Sequence, residues 1–459
     1  MHISRFLSRA WGILVLSTSL VISTICTPSE IFAQNKPVIQ SESAILMDAK
    51  TGFIIYEKNI YKKQFPASIT KIMTTLLAIE NGNLEDTITF SKDAVYSIEW
   101  RSSHIGMREG EQISLRNALY GMVLMSANEV SNAIAEHIDG SIDGFSEHMT
   151  RRAKEIGAIN TNFVNPHGLH DENHYTTAYD MALIARECLK YDDFREIIGT
   201  ITYTIPPTNL VEEPRPLAHQ HRLFNQRAYP NSYYDGCEGG KTGFTDEAMH
   251  TLVTYAKRGD MELISVILKS EKQAMYDDTV TLLDYGFNHF KLIPIIEQGT
   301  SMGTFPIIYF DDDENEHQEN VEVYAQSEVF CVLPKEASKE DIIKKISPPK
   351  KVNLPINKNE EIGDLDLVFE NKVLGTVSLI SSENIEKAQP VSTSQVKEII
   401  TPHSSPNKYI RIFIMIAATV LILFVLFFIL ILIYSSKNRK RMYYLPKNKL
   451  RLSKSLHKR

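Results

Sequence analysis

Cysteine is scarce in this 459-residue chain: there are four, Cys26, Cys188, Cys237 and Cys331. They show no C-x-x-C spacing, so they build neither a disulfide framework nor a zinc site. Buried free thiols are the expectation, and nothing in the spacing supports a Cys188–Cys237 bridge. No internal repeat is visible, which sets repeat architectures aside. Positive charge is short as well. The formal net charge is −7, and it becomes −17 once the ten positive charges of the last 24 residues are set aside. That acidity speaks against nucleic-acid binding and suits an exported domain.

Long apolar runs are confined to the two ends. Residues 1–33 read as a secretory signal: Arg5 and Arg9 precede an apolar core at 11–25, and Ile31-Phe32-Ala33 precedes the expected cut. A lipidated Cys26 is the alternative, but Ser23-Thr24-Ile25 before it matches that signal poorly. Near the other end, residues 412–434 are apolar apart from Thr419 and the closing Tyr434, long enough to cross a bilayer as a helix. The tail, residues 435–459, carries ten Lys and Arg and no acid. The positive-inside tendency places it in the cytoplasm and everything before residue 412 outside, as a single-pass protein of the cell membrane.

Between the ends, residues 43–58 read as a β-hairpin turning at 48–52, followed by helical patterns to about residue 190. A second hairpin is expected at 251–268, turning at Arg258-Gly259-Asp260, with a helix over 277–290. Strands at both ends with helices between predict an α+β fold, one antiparallel sheet packed by helices, over residues 38–292. Short β-rich runs then predict a small all-β domain over 295–385, with a solvated polar loop at 311–320. Residues 386–411 lack an apolar pattern and read as a stalk.

Chemistry is signalled by three short motifs. Ser68-Ile69-Thr70-Lys71 follows Pro66, a helix-starting residue, so Lys71 sits one turn after Ser68 on one face. A serine hydroxyl is a poor nucleophile until a base takes its proton, and a lysine three residues on can do so if burial or neighbouring cations lower its pKa. Ser126-Ala127-Asn128 ends an apolar helical run, and Lys241-Thr242-Gly243 precedes a strand-like segment.

This trio, S-x-x-K, S-x-N and K-T-G in that order, resembles the signature of penicillin-recognising serine enzymes. With Asn165-Pro166-His167-Gly168-Leu169, the run Tyr175 to Ala182 and the small β-domain, residues 38–385 resemble the low-molecular-mass penicillin-binding proteins, the serine D-alanyl-D-alanine carboxypeptidase family. The resemblance implies a β-lactamase/penicillin-binding-protein-like transpeptidase domain that removes the terminal D-alanine from peptidoglycan stem pentapeptides, with no cofactor or metal. It implies Ser68 as the acylated nucleophile, Lys71 as its base and Ser126 as a proton relay. Asn128 would hold the acyl-side amide, Lys241 would supply positive potential and Thr242 would bind the terminal carboxylate. Gly243 would let the strand approach substrate. The N–H groups of Ser68 and Phe244 would form the oxyanion hole. β-Lactam antibiotics would acylate Ser68 durably.

Departures from the family pattern are Ala127, where Gly or Asp is common, and His219-Gln220-His221-Arg222-Leu223-Phe224 before the third motif, which puts the pocket wall in question. Arg222 is read either as a contact for a substrate carboxylate or as a surface ion pair, and His167 as a loop-shaping residue. Rival readings are a D,D-endopeptidase, a class A-like β-lactamase, and a non-catalytic penicillin-sensing or wall-binding protein. The β-lactamase requires a deacylating glutamate in an E-x-x-L-N context, which neither Glu172 nor Glu187 has.

Overall fold

The computed structural model describes residues 36–310, 315–347 and 352–385. The first hairpin is formed by β1 (Ser43–Asp48) and β2 (Ile54–Lys58). Helices α1 (Lys71–Asn81), α2 (Lys92–Tyr96), α3 (Leu115–Met125), α4 (Asn128–Asp139), α5 (Ile142–Ile156), α6 (Ala178–Cys188) and α7 (Asp192–Ile198) follow. One ribbon interrupts them, β3 (Thr87–Thr89) with β4 (Gln112–Ser114), and a second follows α7, β5 (Thr202–Ile205) with β6 (Arg215–Ala218). Hydroxyls start some of the helices: Ser114 Oγ accepts from the Asn117 N–H and Thr177 Oγ1 from the Asp180 N–H, satisfying donors that have no intrahelical partner.

The chain then returns to the sheet through β7 (Cys237–Thr245), β8 (Met249–Arg258) and β9 (Met261–Ser270) before α8 (Ala274–His289). The strand order is β2-β1-β9-β8-β7, all antiparallel. Strand β1 is buried along its whole length because both faces of the sheet are covered. Ile45, Met47, Val253 and Val266 pack with Ile72, Leu76 and Leu119 of the helical region, whereas Leu46, Leu252 and Ile267 pack with Leu282 and Leu283 of α8. The two-residue alternation sorts the strands' side chains between these two cores.

The small β-domain contains β10 (Phe290–Ile296), β11 (Ser301–Phe310), β12 (Glu316–Ala325), β13 (Val329–Pro334), β14 (Ile343–Ile346), β15 (Glu361–Phe369) and β16 (Lys372–Ser381). Five of these form a sheet in the order β11-β12-β16-β15-β14, and β10 pairs with β13. The passage between cores takes place within β10: Phe290 and Leu292 pack with α8 residues, Ile293 and Ile296 with the β-domain. Val332 of β13 joins the α8-side core, and Lys50 in the first hairpin's turn lies 3.1 Å from the centre of the Phe330 ring.

The polar stretch at 311–320 is not wholly a loop. Glu316 to Asn320 form the exposed half of β12, paired with β11 from Glu316↔Phe310 onward. Their charges are compatible with a strand because that end of it faces solvent. The expected helix over 277–290 starts earlier, at Ala274, and ends at His289; Phe290 is already extended. Cys188, Cys237 and Cys331 are buried free thiols. Among the described residues no helix is long and apolar enough to cross a membrane. The segments read as signal (1–33), stalk (386–411), membrane-crossing helix (412–434) and basic tail (435–459) lie outside the described residues.

Candidate active site

Ser68 sits in a 3-10 turn, Ala67–Thr70, that runs directly into α1, rather than in the first α-turn that Pro66 suggests. The tighter turn has a consequence. Residues three apart eclipse in a 3-10 turn, so Lys71 is brought against Ser68. Lys71 Nζ lies 3.1 Å from Ser68 Oγ, donates to Asn128 Oδ1 at 2.7 Å and to the His167 carbonyl at 2.6 Å. The lysine is completely buried, and its amine meets no carboxylate in an ion pair among the described residues. Burial, and then the charge of Lys241, hold its pKa well below the usual lysine value; the charge of Glu129 opposes them.

The second motif is shaped by strain. Ser126 ends α3 in the left-handed conformation, φ 61°, which turns the chain so that α4 starts at Asn128. A serine held there costs about 1–2 kcal/mol, an outlay typical of functional sites. Ala127 is fully buried in the helical core, so a small side chain is what this position accommodates. The Asn128 N–H donates to the Ser103 carbonyl at 2.8 Å, fastening the cleft wall to α4.

Strand β7 is the sheet edge beside the cleft and presents the third motif. Gly243 lies against the nucleophile's turn: a Cβ there would sit 2.8 Å from the Ser68 amide nitrogen and 2.3 Å from Thr251 Oγ1. Lys241 is buried, donates to the Thr242 carbonyl at 2.9 Å, and is lowered to about 7 by burial. Phe244 is about half exposed, its ring 4.5 Å from that of His250.

A loop that carries none of the three motifs closes the floor. Thr74 Oγ1 donates to the Pro166 carbonyl at 2.6 Å beside the Lys71–His167 bond, and the His167 ring accepts from the Leu169 N–H at 3.1 Å. His167 therefore shapes the loop, as read from sequence, and its carbonyl also holds the lysine. Gly168, φ +86°, has no room for a side chain: a Cβ would sit 1.9 Å from the Ala67 carbonyl oxygen. His174, lowered to about 3 by burial, accepts at Nδ1 from the Val164 N–H, so its Nε2 donates to Thr70 Oγ1 at 2.8 Å.

These elements enclose a cleft of about 820 Å³ lined by Ser68, Ser126, Asn128, Thr242, Phe244 and Arg222. All eight residues expected at the site are thus brought to one place, with Lys71 and Lys241 beneath its surface. The histidines before β7 do not form the pocket wall. His219 and His221 are buried, and His221 Nε2 is 2.9 Å from Thr254 Oγ1; Gln220 and Arg222 face the cleft instead. Arg222 makes no surface ion pair among the described residues: its guanidinium lies 5.3 Å from the Tyr276 ring and 5.7 Å from that of Tyr229. Glu187 is engaged by Arg152 and Lys190, and Glu172 is exposed beside His170, so neither stands at Ser68. Sequence reading missed Glu129 and the wall at Ser103; the only signal was an acid in the first turn of α4, which also fits a plain response to the helix dipole.

An α+β sheet edged by K-T-G, facing a serine–lysine pair on a helix, defines a serine acyl-transfer enzyme of the penicillin-recognising class. The chain belongs to the D-alanyl-D-alanine carboxypeptidase family (Peptidase_S11), whose model matches residues 30–272, and the C-terminal-domain model of penicillin-binding protein 5 matches residues 290–387. The D-alanyl-D-alanine carboxypeptidase DacF of Bacillus subtilis is 31% identical over 355 residues, 76% of this chain and 87% of the relative. DacC of Escherichia coli K12 is 27% identical over 371 residues, 76% of this chain and 86% of the relative. The crystal structure of penicillin-binding protein 5 from Haemophilus influenzae superposes with a TM-score of 0.64 at 26% identity, covering 77% of this chain and 99% of that one. The protein is a serine D-alanyl-D-alanine carboxypeptidase acting on peptidoglycan stem peptides.

Proposed function

We propose that Ser68 carries the acyl group and that Lys71 is its base, and that the enzyme works outside the cytoplasm on an anchor at 412–434. The observation that carries the chemistry is the set of contacts around Lys71 Nζ. A neutral amine has two hydrogens and one lone pair. Asn128 Oδ1 and the His167 carbonyl accept the two hydrogens at 2.7 and 2.6 Å, which leaves the lone pair for the Ser68 hydroxyl at 3.1 Å.

Ser68 Oγ attacks the carbonyl of the D-Ala-D-Ala bond while its proton passes to Lys71. Negative charge develops on the carbonyl oxygen, facing the N–H groups of Ser68 and Phe244. Collapse breaks the C–N bond, and Ser126 relays the proton taken up by Lys71 to the departing amine of D-alanine, which returns Lys71 to its neutral form. Water then takes the acyl group from Ser68. Thr242 and Lys241 hold the substrate's terminal carboxylate, and Asn128 Nδ2 is left to donate to the acyl-side amide because its Oδ1 is occupied by Lys71. β-Lactams enter the same path and stop at the acyl-enzyme: no E-x-x-L-N segment follows Ser126 to supply a deacylating glutamate, and Glu187 is engaged by Arg152 and Lys190.

Peptide mapping of penicillin-labelled protein tests this: the label should fall on Ser68, and Ser68→Ala should take none. Label on another residue, or full labelling of that variant, refutes the assignment. Incubation with a pentapeptide ending in D-Ala-D-Ala should release one alanine. Rapid repeated hydrolysis of penicillin would favour the β-lactamase reading instead.

A further inference from the structure

Two lysines, Lys71 and Lys241, are buried side by side at this site, and burying a charge without a counter-charge is costly. The acid whose charge acts on Lys71 is Glu129, 1% exposed, next in sequence to Asn128. Its Oε1 accepts from the Ile105 N–H at 2.8 Å and more distantly from the Met107 N–H, while its other oxygen is buried without a hydrogen-bond partner. Burial raises its pKa, partly offset by those N–H groups and by His104. Its charge works on Lys71 in the opposite direction to that of Lys241.

We infer that Glu129 is a positioning residue of the acyl transfer: its buried carboxylate ties the cleft wall to the helix that carries Asn128, and it is the counter-charge for the ammonium that Lys71 becomes on taking the Ser68 proton. The inference rests on the roles proposed above for Ser68 and Lys71. No proton needs to reach Glu129. Its negative charge stabilises the ion pair formed as Ser68 attacks, much as a third group supports the base in other nucleophilic sites. The charges that face Lys71 are Lys241 from β7 and Glu129 from α4. His167 and His174 on the floor loop are both held neutral by burial. Glu129 itself faces His104 on the wall. Glu129 is therefore the one anion in this set.

The experiment is the pH dependence of the acylation rate by a fluorescent penicillin, using the detergent-solubilised full chain, Glu129→Gln and Glu129→Asp. Glu129→Gln keeps an acceptor for the wall but removes the charge. Lys71 then loses its proton more readily and is a weaker base. Its acid limb should move to lower pH while the plateau falls about tenfold, a part of the roughly 10²–10⁴ that a positioned base supplies. Glu129→Asp keeps the charge but withdraws it from the wall, so its limb should stay while the thermal midpoint falls. A Glu129→Gln limb that coincides with that of the unmodified protein overturns the counter-charge role, as does a Glu129→Asp limb displaced to lower pH. Gln variant rates equal to the unmodified protein at every pH overturn the whole inference. An unmodified protein that takes no label at Ser68 refutes the underlying roles instead, whatever the variants do.

Discussion

At the scale of single residues, the acyl transfer proposed for this site depends on one amine, that of Lys71, giving up its proton more readily than an ordinary lysine. Lys71→Arg should lower acylation by roughly three orders of magnitude or more, because a guanidinium stays protonated and cannot act as base. Lys241→Arg keeps a cation for the substrate carboxylate and should retain partial activity; measuring both acylation rates decides whether the two lysines divide the work. Lys241 also predicts a pH dependence. Its pKa of about 7 means that it loses its charge as pH rises through neutrality. A bound carboxylate favours the charged form and raises that pKa. The kcat/KM for a D-Ala-D-Ala peptide should therefore decline above about pH 7, while kcat holds to higher pH and KM rises between. Parallel profiles for the two parameters would show that Lys241 does not bind the carboxylate.

At the scale of elements, the site is assembled from pieces that hold one another in place. Gly168→Ala should be among the most damaging single changes. It forces a side chain onto the Ala67 carbonyl at positive φ, displacing both the nucleophile's turn and the His167 carbonyl, at a cost of about 3 kcal/mol or more. Penicillin labelling and thermal melting should both register it. Below the wall, Arg215 of β6 pairs with the completely buried Glu111 at 2.7 Å. Burial pushes the Glu111 carboxyl up, but Arg215, Thr208 and the Arg108 N–H outweigh it and hold it below the usual range. Its contribution to stability is therefore present above the unfolded carboxylate pKa and is lost as pH falls through the folded one. Arg215→Ala, which strands the carboxylate, should cost about 3–5 kcal/mol by denaturant unfolding near neutral pH, with a smaller difference in acid. Much of this scale was legible in the sequence. Both hairpins, α8 and the motif-bearing segments announce themselves by side-chain period and turn chemistry. What stayed hidden depends on backbone groups far apart in the chain. The His167 carbonyl that holds Lys71 and the Ser103 carbonyl that holds Asn128 have no side-chain signature, and the β5–β6 ribbon is too short to show a period. Residues 316–320 read as loop because a run of charged and polar side chains has the composition of a solvated turn, although an exposed strand half carries charge freely.

At the scale of the whole molecule, a chain truncated at Ser405 should be secreted, soluble and able to bind penicillin, since every cleft residue lies upstream. The full-length protein should need detergent for extraction, and release by salt alone would refute a spanning anchor. The manner in which the small domain is attached bears on the same question. Strand β10 contributes to two cores, Val332 reaches back into one of them, and Lys50 covers Phe330. Such an arrangement has no slack joint in it. Scanning calorimetry of the truncated chain should show a single endotherm rather than two. Covalent capture of penicillin in the cleft should delay the melting of β15 and β16 as much as that of the helices, as hydrogen exchange can read. The small domain then acts as a rigid arm of the catalytic domain: a restraint placed on β15 or β16 also sets the orientation of the cleft.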